Sequence, residues 1–158
     1  MITLSQLLES RDRRASHQKD LLGNFPGRSL LCLTVLYPGP VKRNVTTLAV
    51  ARAGVDAVRK AFEVEYEELL DLDTGYEGYF IVKLPFNDAK LLCCNIEDNH
   101  PLGRLMDMDV ITPEGPLSRE KERQCLLCGR PARYCMRAGT HTTEELISKI
   151  ESIVAENL

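Results

Sequence analysis

The order of strand-like and helix-like segments is the feature that most constrains the fold of this 158-residue chain. Apolar runs and alternating patterns predict strands, and apolar spacings of three and four residues predict helices. In chain order, the segments are a helix at 3–22, a strand at 29–36, a helix at 45–61, strands at 63–72 and 79–84, a helix at 85–98 and a strand at 104–111. After the first helix, this β-α-β-β-α-β order predicts an α+β fold. Its sheet layer is either ferredoxin-like or nucleotidyltransferase-like, and the pattern does not choose between them.

A cysteine-rich segment and a last helix at 143–156 follow the predicted sheet. Thr142 and Glu145 have the spacing of a capping box at the start of that helix, and Asn87 is the predicted N-cap of the helix at 85–98. Hydrophobic residues make up 44% of the chain, which is enough for one core. We therefore predict a single domain over 1–158. Its parts are an N-terminal helix (1–24), an α/β core (25–116) and a tail containing the cysteines and the last helix (117–158).

Composition and charge exclude several classes of protein. The net charge of -3 and the pI of about 5.7 do not provide the basic field of a nucleic-acid-binding protein, so no nucleic-acid partner is predicted. No run of 18 apolar residues predicts a membrane span. Charged side chains are frequent in the first twenty residues, which is unlike a signal peptide. We therefore expect a cytoplasmic protein whose six cysteines are thiols or metal ligands.

Asp107 and Asp109 lie in the last predicted strand, where aspartate is disfavoured. Side chains two residues apart on a strand point to the same face, with Cα atoms about 7 Å apart. Paired carboxylates of this kind bind Mg²⁺ in enzymes of phosphoryl and nucleotidyl transfer. The alternative is that the neighbouring apolar residues face a core while the two aspartates only point into water.

Basic side chains in three other segments are candidates for binding an anion. Arg11, Arg14 and Gln18 interrupt one face of the first helix, whose ends are apolar. Arginine suits phosphate oxygens, although these arginines could instead pair with nearby carboxylates on an exposed helix. Lys42 follows the first strand, and Arg104 precedes Asp107 by three residues. Lys42 and Arg104 would matter only if the fold brings them to the aspartates.

The tail contains Cys125, Cys128, Cys135 and His141. Three thiolates and an imidazole can form a tetrahedral structural Zn²⁺ site, and the Cys-x-x-Cys pair has the spacing to reach one ion from a tight turn. The alternative is a set of buried thiols. The other cysteines lie in apolar stretches and are predicted to be core residues: Cys32, Cys93 and Cys94.

The segment 119–137 is locally basic, with six lysines and arginines against two glutamates. On a protein that is acidic overall, such a patch can attract an acidic partner by long-range electrostatics. A solvated patch without a function is the alternative.

The segment 100–110, His-Pro-Leu-Gly-Arg-Leu-Met-Asp-Met-Asp-Val, resembles the signature of the apo-citrate lyase phosphoribosyl-dephospho-CoA transferases, also called holo-citrate lyase synthases. The resemblance runs in order along nearly the whole chain. It also includes Arg11-x-x-Arg14 with Gln18, Pro38-Gly39-Pro40-Val41-Lys42, Thr74-Gly75-x-Glu77, Cys125-Leu126-x-Cys128, Ala132, Cys135, Arg137 and His141.

The resemblance implies transfer of a triphosphoribosyl-dephospho-CoA precursor to a serine of the citrate lyase acyl carrier protein, with release of pyrophosphate. In that reaction Asp107 and Asp109 would bind Mg²⁺, and one of them could accept the serine proton. The resemblance also implies a set of substrate-binding residues: Arg11, Arg14, Gln18, Lys42, Gly103 and Arg104. Two alternatives remain, namely the same reaction on the carrier protein of another lyase or decarboxylase, and a non-catalytic zinc-binding assembly module.

Overall fold

A five-stranded antiparallel sheet with helices on both faces forms the centre of the fold, and the computed structural model describes residues 1–157. No helix in this range is long and apolar enough to cross a membrane. A 3₁₀ turn at Gly103–Leu105 precedes the fourth strand. The helices and strands, in chain order, are α1 (Leu4–Asn24), β1 (Ser29–Val35), α2 (Val45–Ala61), β2 (Val64–Leu72), β3 (Gly75–Val82), α3 (Phe86–Asn99), β4 (Met106–Thr112), β5 (Gly115–Pro116), α4 (Ala132–Ala138) and α5 (Thr143–Glu156).

The strand order is β2-β3-β1-β4-β5, and each neighbouring pair is antiparallel. The chain passes from β1 through α2 to β2, and β3 lies between these two strands. It passes from β3 through α3 to β4, and β1 lies between those two. Both crossovers therefore skip one strand, which is the split βαβ arrangement of a ferredoxin-like plait. The predicted α+β class, with its N-terminal helix, cysteine-rich segment and C-terminal helix, is confirmed.

The two faces of the sheet have different partners, and this difference positions the candidate site. Side chains alternate along β1, so Leu31 and Leu33 belong to the main core with α2, α3 and α5. Leu30 and Cys32 face the other way and pack with Leu21 of α1. On β4, Met106, Met108 and Val110 enter the main core. Asp107 and Asp109 must therefore lie on the face that α1 crosses.

Local signals fix where most helices begin. Thr3, Asn44 and Thr142 are the N-caps of α1, α2 and α5, and each forms a capping box with the residue three positions later. The predicted cap at Thr142 is thus confirmed. The predicted N-cap at Asn87 is wrong, because α3 already begins at Phe86 after Pro85, which makes no side-chain cap.

The structure also corrects the predicted start of two strands. The strand predicted at 104–111 begins only at Met106, because the chain first turns sharply against the end of α3. A Cβ atom on Gly103 would lie 2.4 Å from the carbonyl oxygen of Ile96, so this close approach requires glycine. The strand predicted to begin at Tyr79 begins at Gly75, because residues 75–78 pair with β2 across a two-residue turn. The short helix α4 had no sequence signal that we recognised.

Candidate active site and metal centre

A cleft lies between α1 and β4. The contacts of α1 with the sheet are mostly to β1 and β3: Leu21 packs with Leu30, and the His17 ring meets Tyr79 edge-on at 4.7 Å between centroids. Strand β4, beyond β1, is therefore only partly covered. Asp107 is exposed, and Asp109 is half-buried. The two aspartates lie on the same face of β4 as Ile111, which lines this cleft.

The position of the aspartates is set by pairing with β1. Thr34 lies opposite Asp107, and Cys32 lies opposite Asp109. Burial and the neighbouring Asp107 charge raise the pKa of Asp109 to about 6, although the nearby Arg14 guanidinium opposes this shift. Within residues 1–157, neither aspartate has an ion pair within 4 Å. Two close carboxylates of this kind favour a cation between them, which fits Mg²⁺.

The backbone between the two aspartates is held by side chains of α3. The Met108 N–H donates to Glu97 Oε2 at 2.8 Å, and Lys90 Nζ donates to the Met108 carbonyl oxygen at 3.3 Å. Both charged residues are buried, with 4% exposure for Glu97 and 9% for Lys90. Because β5 pairs only with the end of β4, these side chains replace a neighbouring strand at Met108. Sequence reasoning missed them, since a lone charge on a helix usually indicates a solvated face.

Two arginines of the predicted basic patch stabilise the same edge of the sheet. Arg123 donates to the carbonyl oxygens of Met106 at 2.8 Å and Gly103 at 2.9 Å. Arg119 Nε lies 3.4 Å from Glu97 Oε1 and is largely buried. These two side chains are therefore structural. The cations of the patch that are exposed are Lys121, Arg130, Arg133 and Arg137.

Arg14 is held above the sheet by a buried carboxylate. Glu77 is 1% exposed, and its Oε2 lies 2.8 Å from Arg13 Nη2 and 3.5 Å from Arg14 Nε. The Tyr79 hydroxyl donates to the other carboxylate oxygen, Oε1, at 2.5 Å. This network fixes the half-buried Arg14 on the side of α1 that faces the sheet. The role of Glu77 was not predicted.

Arg11 and Lys42 form a second group of positive charge near the start of α1. Lys42 Nζ donates to the Tyr37 carbonyl oxygen at 2.7 Å. Burial, together with the neighbouring Arg11 charge, lowers the pKa of Lys42. No carboxylate in residues 1–157 lies within 4 Å of either cation's nitrogen atoms. Two adjacent cations without a counter-charge favour a bound anion.

The apolar face predicted for α1 needs correction. Leu4 is 72% exposed, so the first turn of α1 does not bury this apolar side chain. The buried positions of the helix are Ser10 and Leu21. Arg14 lies on this buried side, whereas Arg11 lies on the flank and is exposed.

Gly103 and Arg104 do not line the cleft. Arg104 donates to the Gln124 carbonyl oxygen from Nε at 3.2 Å and from Nη2 at 2.8 Å, and it borders Cys125. Gly103 is buried against the end of α3. Both residues connect the sheet to the tail, and among the predicted basic residues it is Arg14 whose charge acts on Asp109.

The predicted metal ligands of the tail are brought together by the fold. Cys125, Cys128, Cys135 and His141 each place one ligand atom within 4.8 Å of the others. The turn at the first two cysteines is closed by a hydrogen bond of 2.7 Å from the Cys125 N–H to the Arg130 carbonyl oxygen. Helix α4 then supplies Cys135.

The chemistry of this cluster suits a metal ion. The neighbouring His141 imidazole and the Arg130 guanidinium, which donates to Cys128 Sγ, lower the pKa of Cys128 to about 5, and this favours the thiolate that binds metals. His141 Nε2 is buried and has no hydrogen-bond partner in the described part of the chain. Three sulfurs and one imidazole form a donor set for tetrahedral zinc. Among the remaining cysteines, Cys32 and Cys93 are buried as predicted, whereas Cys94 is partly exposed.

Comparison with known proteins agrees with the resemblance seen in the sequence. The family model described as apo-citrate lyase phosphoribosyl-dephospho-CoA transferase matches residues 2–157. A relative of that name from Escherichia coli O7:K1 (strain IAI39) is 34% identical over 163 aligned positions, which cover 97% of this chain and 88% of the relative. A relative of the same name from Shigella boydii serotype 18 has the same identity and coverage. The chain therefore belongs to the apo-citrate lyase phosphoribosyl-dephospho-CoA transferase family.

Proposed function

We propose that this protein attaches the phosphoribosyl-dephospho-CoA prosthetic group to apo-citrate lyase. The substrate is the triphosphoribosyl-dephospho-CoA precursor, and the acceptor is a serine of the acyl carrier protein subunit. The observation that carries this proposal is the cleft between α1 and β4. Asp107 and Asp109 lie beside it on the same face of β4, while Arg11, Arg14 and Lys42 supply positive charge along α1 and the adjoining loop.

The reaction is a nucleotidyl transfer at the α-phosphate. The serine oxygen forms a bond to the α-phosphorus, and the bond from that phosphorus to the oxygen bridging to the β-phosphate breaks. Pyrophosphate leaves with that electron pair, and the serine proton passes to a carboxylate or to water. The nucleophile belongs to the partner protein, so no Ser-His pair is needed in this chain.

We propose that Asp107 and Asp109 hold Mg²⁺. When bound, the ion would offset charge on the phosphate oxygens. Arg11, Arg14 and Lys42 would orient the triphosphate and stabilise negative charge as it develops on the leaving group. Glu77 would keep Arg14 in position through the contact described above. We expect the protein to act in the cytoplasm, together with this precursor and the carrier protein.

The proposal is tested by incubating the protein with apo acyl carrier protein, the precursor and Mg²⁺, and measuring the intact mass of the carrier protein. The expected result is a mass increase equal to the precursor minus pyrophosphate, located on a serine. Carrier proteins of other lyases and decarboxylases, incubated in parallel, identify the acceptor. No mass change with any carrier protein would contradict the transferase proposal and favour a non-catalytic zinc module.

Removing Arg11 or Arg14 should weaken binding of the precursor. A charge-assisted hydrogen bond contributes about 1.5–3 kcal/mol, so Arg11→Ala or Arg14→Ala should each lower affinity roughly tenfold or more. Dephospho-CoA, which lacks the triphosphate, should bind nearly as it does to the unsubstituted protein. Isothermal titration calorimetry measures both ligands.

The matched control for the arginine variants is Arg52→Ala, since Arg52 is exposed on α2, which packs on the face of the sheet opposite α1. Arg11→Lys should restore only part of the affinity, because an ammonium group cannot reproduce a bidentate contact. Equal losses for the precursor and for dephospho-CoA would contradict the assignment of these arginines to the triphosphate.

We further propose that the Cys125–Cys128–Cys135–His141 cluster binds structural Zn²⁺. The purified protein should then contain about one equivalent of zinc by elemental analysis, and a strong chelator should lower its melting temperature. Cys128→Ser should lose the metal, whereas Cys94→Ser, outside the cluster, should retain it. Metal-free protein whose melting temperature does not respond to chelator would identify the cluster as buried thiols.

A further inference from the structure

The cleft is a groove between α1 and the β4–β5 turn. The groove has a volume of about 760 Å³. One wall is the α1 flank at Ala15, Gln18 and Leu22, whose spacings of three and four residues place them on one side of the helix. The other wall contains Ile111, Pro113 and Pro116. Most of the lining surface is apolar, and the polar side chains of the lining are Ser16, Gln18, Lys19 and Thr112.

The groove and the aspartates share one face of β4. Ile111 is two residues after Asp109, so it points to the same face about 7 Å further along the strand. On the helix, Gln18 follows Arg14 by four residues, which is one turn. Asp109 and Arg14 therefore lie one step along β4 and one turn along α1 from the apolar groove and its amide.

We infer that this groove binds the adenosine part of the precursor. The inference rests on the proposed function, since it places a second portion of the same substrate. A purine is a flat, largely apolar ring whose edge carries hydrogen-bond donors and acceptors. Apolar walls such as Ile111 and Leu22 suit its faces, and the Gln18 amide can donate to and accept from its edge. The triphosphate then lies at the charged end of the cleft, and its α-phosphate lies beside the aspartates.

The inference predicts that a substitution at one end of the cleft weakens the binding of one ligand only. Ala15 is exposed at the rim of the groove, so Ala15→Trp should fill the groove without disturbing the core. We expect a loss of dephospho-CoA affinity of roughly tenfold or more, by analogy with the contribution of one stacked base. Tripolyphosphate, which probes the charged end, should bind within about twofold of its normal affinity. Arg11→Ala should show the opposite pattern.

Two further variants make this binding experiment decisive. Gln18→Leu preserves the size of the side chain and removes the amide. It should therefore also weaken the binding of dephospho-CoA while leaving the binding of tripolyphosphate unaffected. Ala155→Trp, at an exposed alanine of α5 on the other side of the sheet, is the matched control and should leave both ligands unaffected. Adenosine monophosphate should compete with dephospho-CoA, whereas pantetheine should not.

The inference is overturned if the Ala15→Trp variant binds dephospho-CoA normally, or if it loses affinity for dephospho-CoA and tripolyphosphate alike. It is also overturned if pantetheine, and not adenosine monophosphate, competes with dephospho-CoA. It fails independently of the transferase proposal. An unmodified carrier protein in the presence of the unsubstituted enzyme counts against transfer, whereas unaltered dephospho-CoA binding in the Ala15→Trp variant counts against the groove.

Discussion

Asp107→Asn and Asp109→Asn should each lower the rate of transfer to the carrier protein at least about 100-fold while leaving the fold intact. A phosphoryl-transfer site that loses a metal-binding carboxylate loses several kcal/mol of transition-state stabilisation, and each 1.36 kcal/mol is a tenfold change in rate. The rate is measured by intact mass of the carrier protein over time. Near-normal turnover in either variant would remove the aspartates from the mechanism.

The metal-free Asp109→Asn variant should be more stable than the unsubstituted protein, although its rate of transfer is lower. The pKa of Asp109 is about 6 in the folded protein and about 4 when unfolded, so the folded state binds the proton more tightly. The charged form therefore costs folding stability as pH rises above about 4, and the full cost is present above about 6. Asp109→Asn should raise the melting temperature at pH 8 in chelator, and this gain should disappear near pH 4.

Glu97→Ala should produce the largest loss of folding stability, about 3–5 kcal/mol, the range for breaking a buried ion pair. Burial raises the pKa of Glu97 despite the cations around it, so the carboxylate itself is costly to bury. The loss of stability arises because the groups that contact Glu97 stay buried after the carboxylate is removed. Without Glu97, the Met108 N–H has no acceptor, and the buried Lys90 loses a nearby negative charge. Urea unfolding measures the effect.

Two variants test this explanation of the Glu97 effect. Glu97→Gln keeps an acceptor for the Met108 N–H and loses only the charge, so its loss should be smaller than that of Glu97→Ala. Glu120→Ala, at an exposed glutamate nearby, should change stability by less than about 0.5 kcal/mol. If Glu97→Ala were as stable as Glu120→Ala, the α3 side chains would not hold β4 as described.

Local patterns in the sequence predicted most of the fold. Alternation and helical spacing depend only on neighbouring residues, so they located the helices and strands other than α4 and β5, and the common face of Asp107 and Asp109. The Cys-x-x-Cys spacing likewise indicated a metal site, and the structure confirms that its four ligand atoms lie together. The predicted strand starts at Tyr79 and Arg104 were wrong, because pairing with β2 and contact with α3 place these starts at Gly75 and Met106.

Only the tertiary structure decided which residues surround the aspartates. Arg104 is three residues from Asp107 in the chain, yet it contacts the tail. Lys90 and Glu97 are far more distant in sequence, yet they hold the peptide units on either side of Met108. Arg14 of α1, which lies still further away in sequence, likewise acts on the pKa of Asp109. Burial and pairing energies depend on distances between atoms in the folded chain, and spacing along the sequence does not determine those distances.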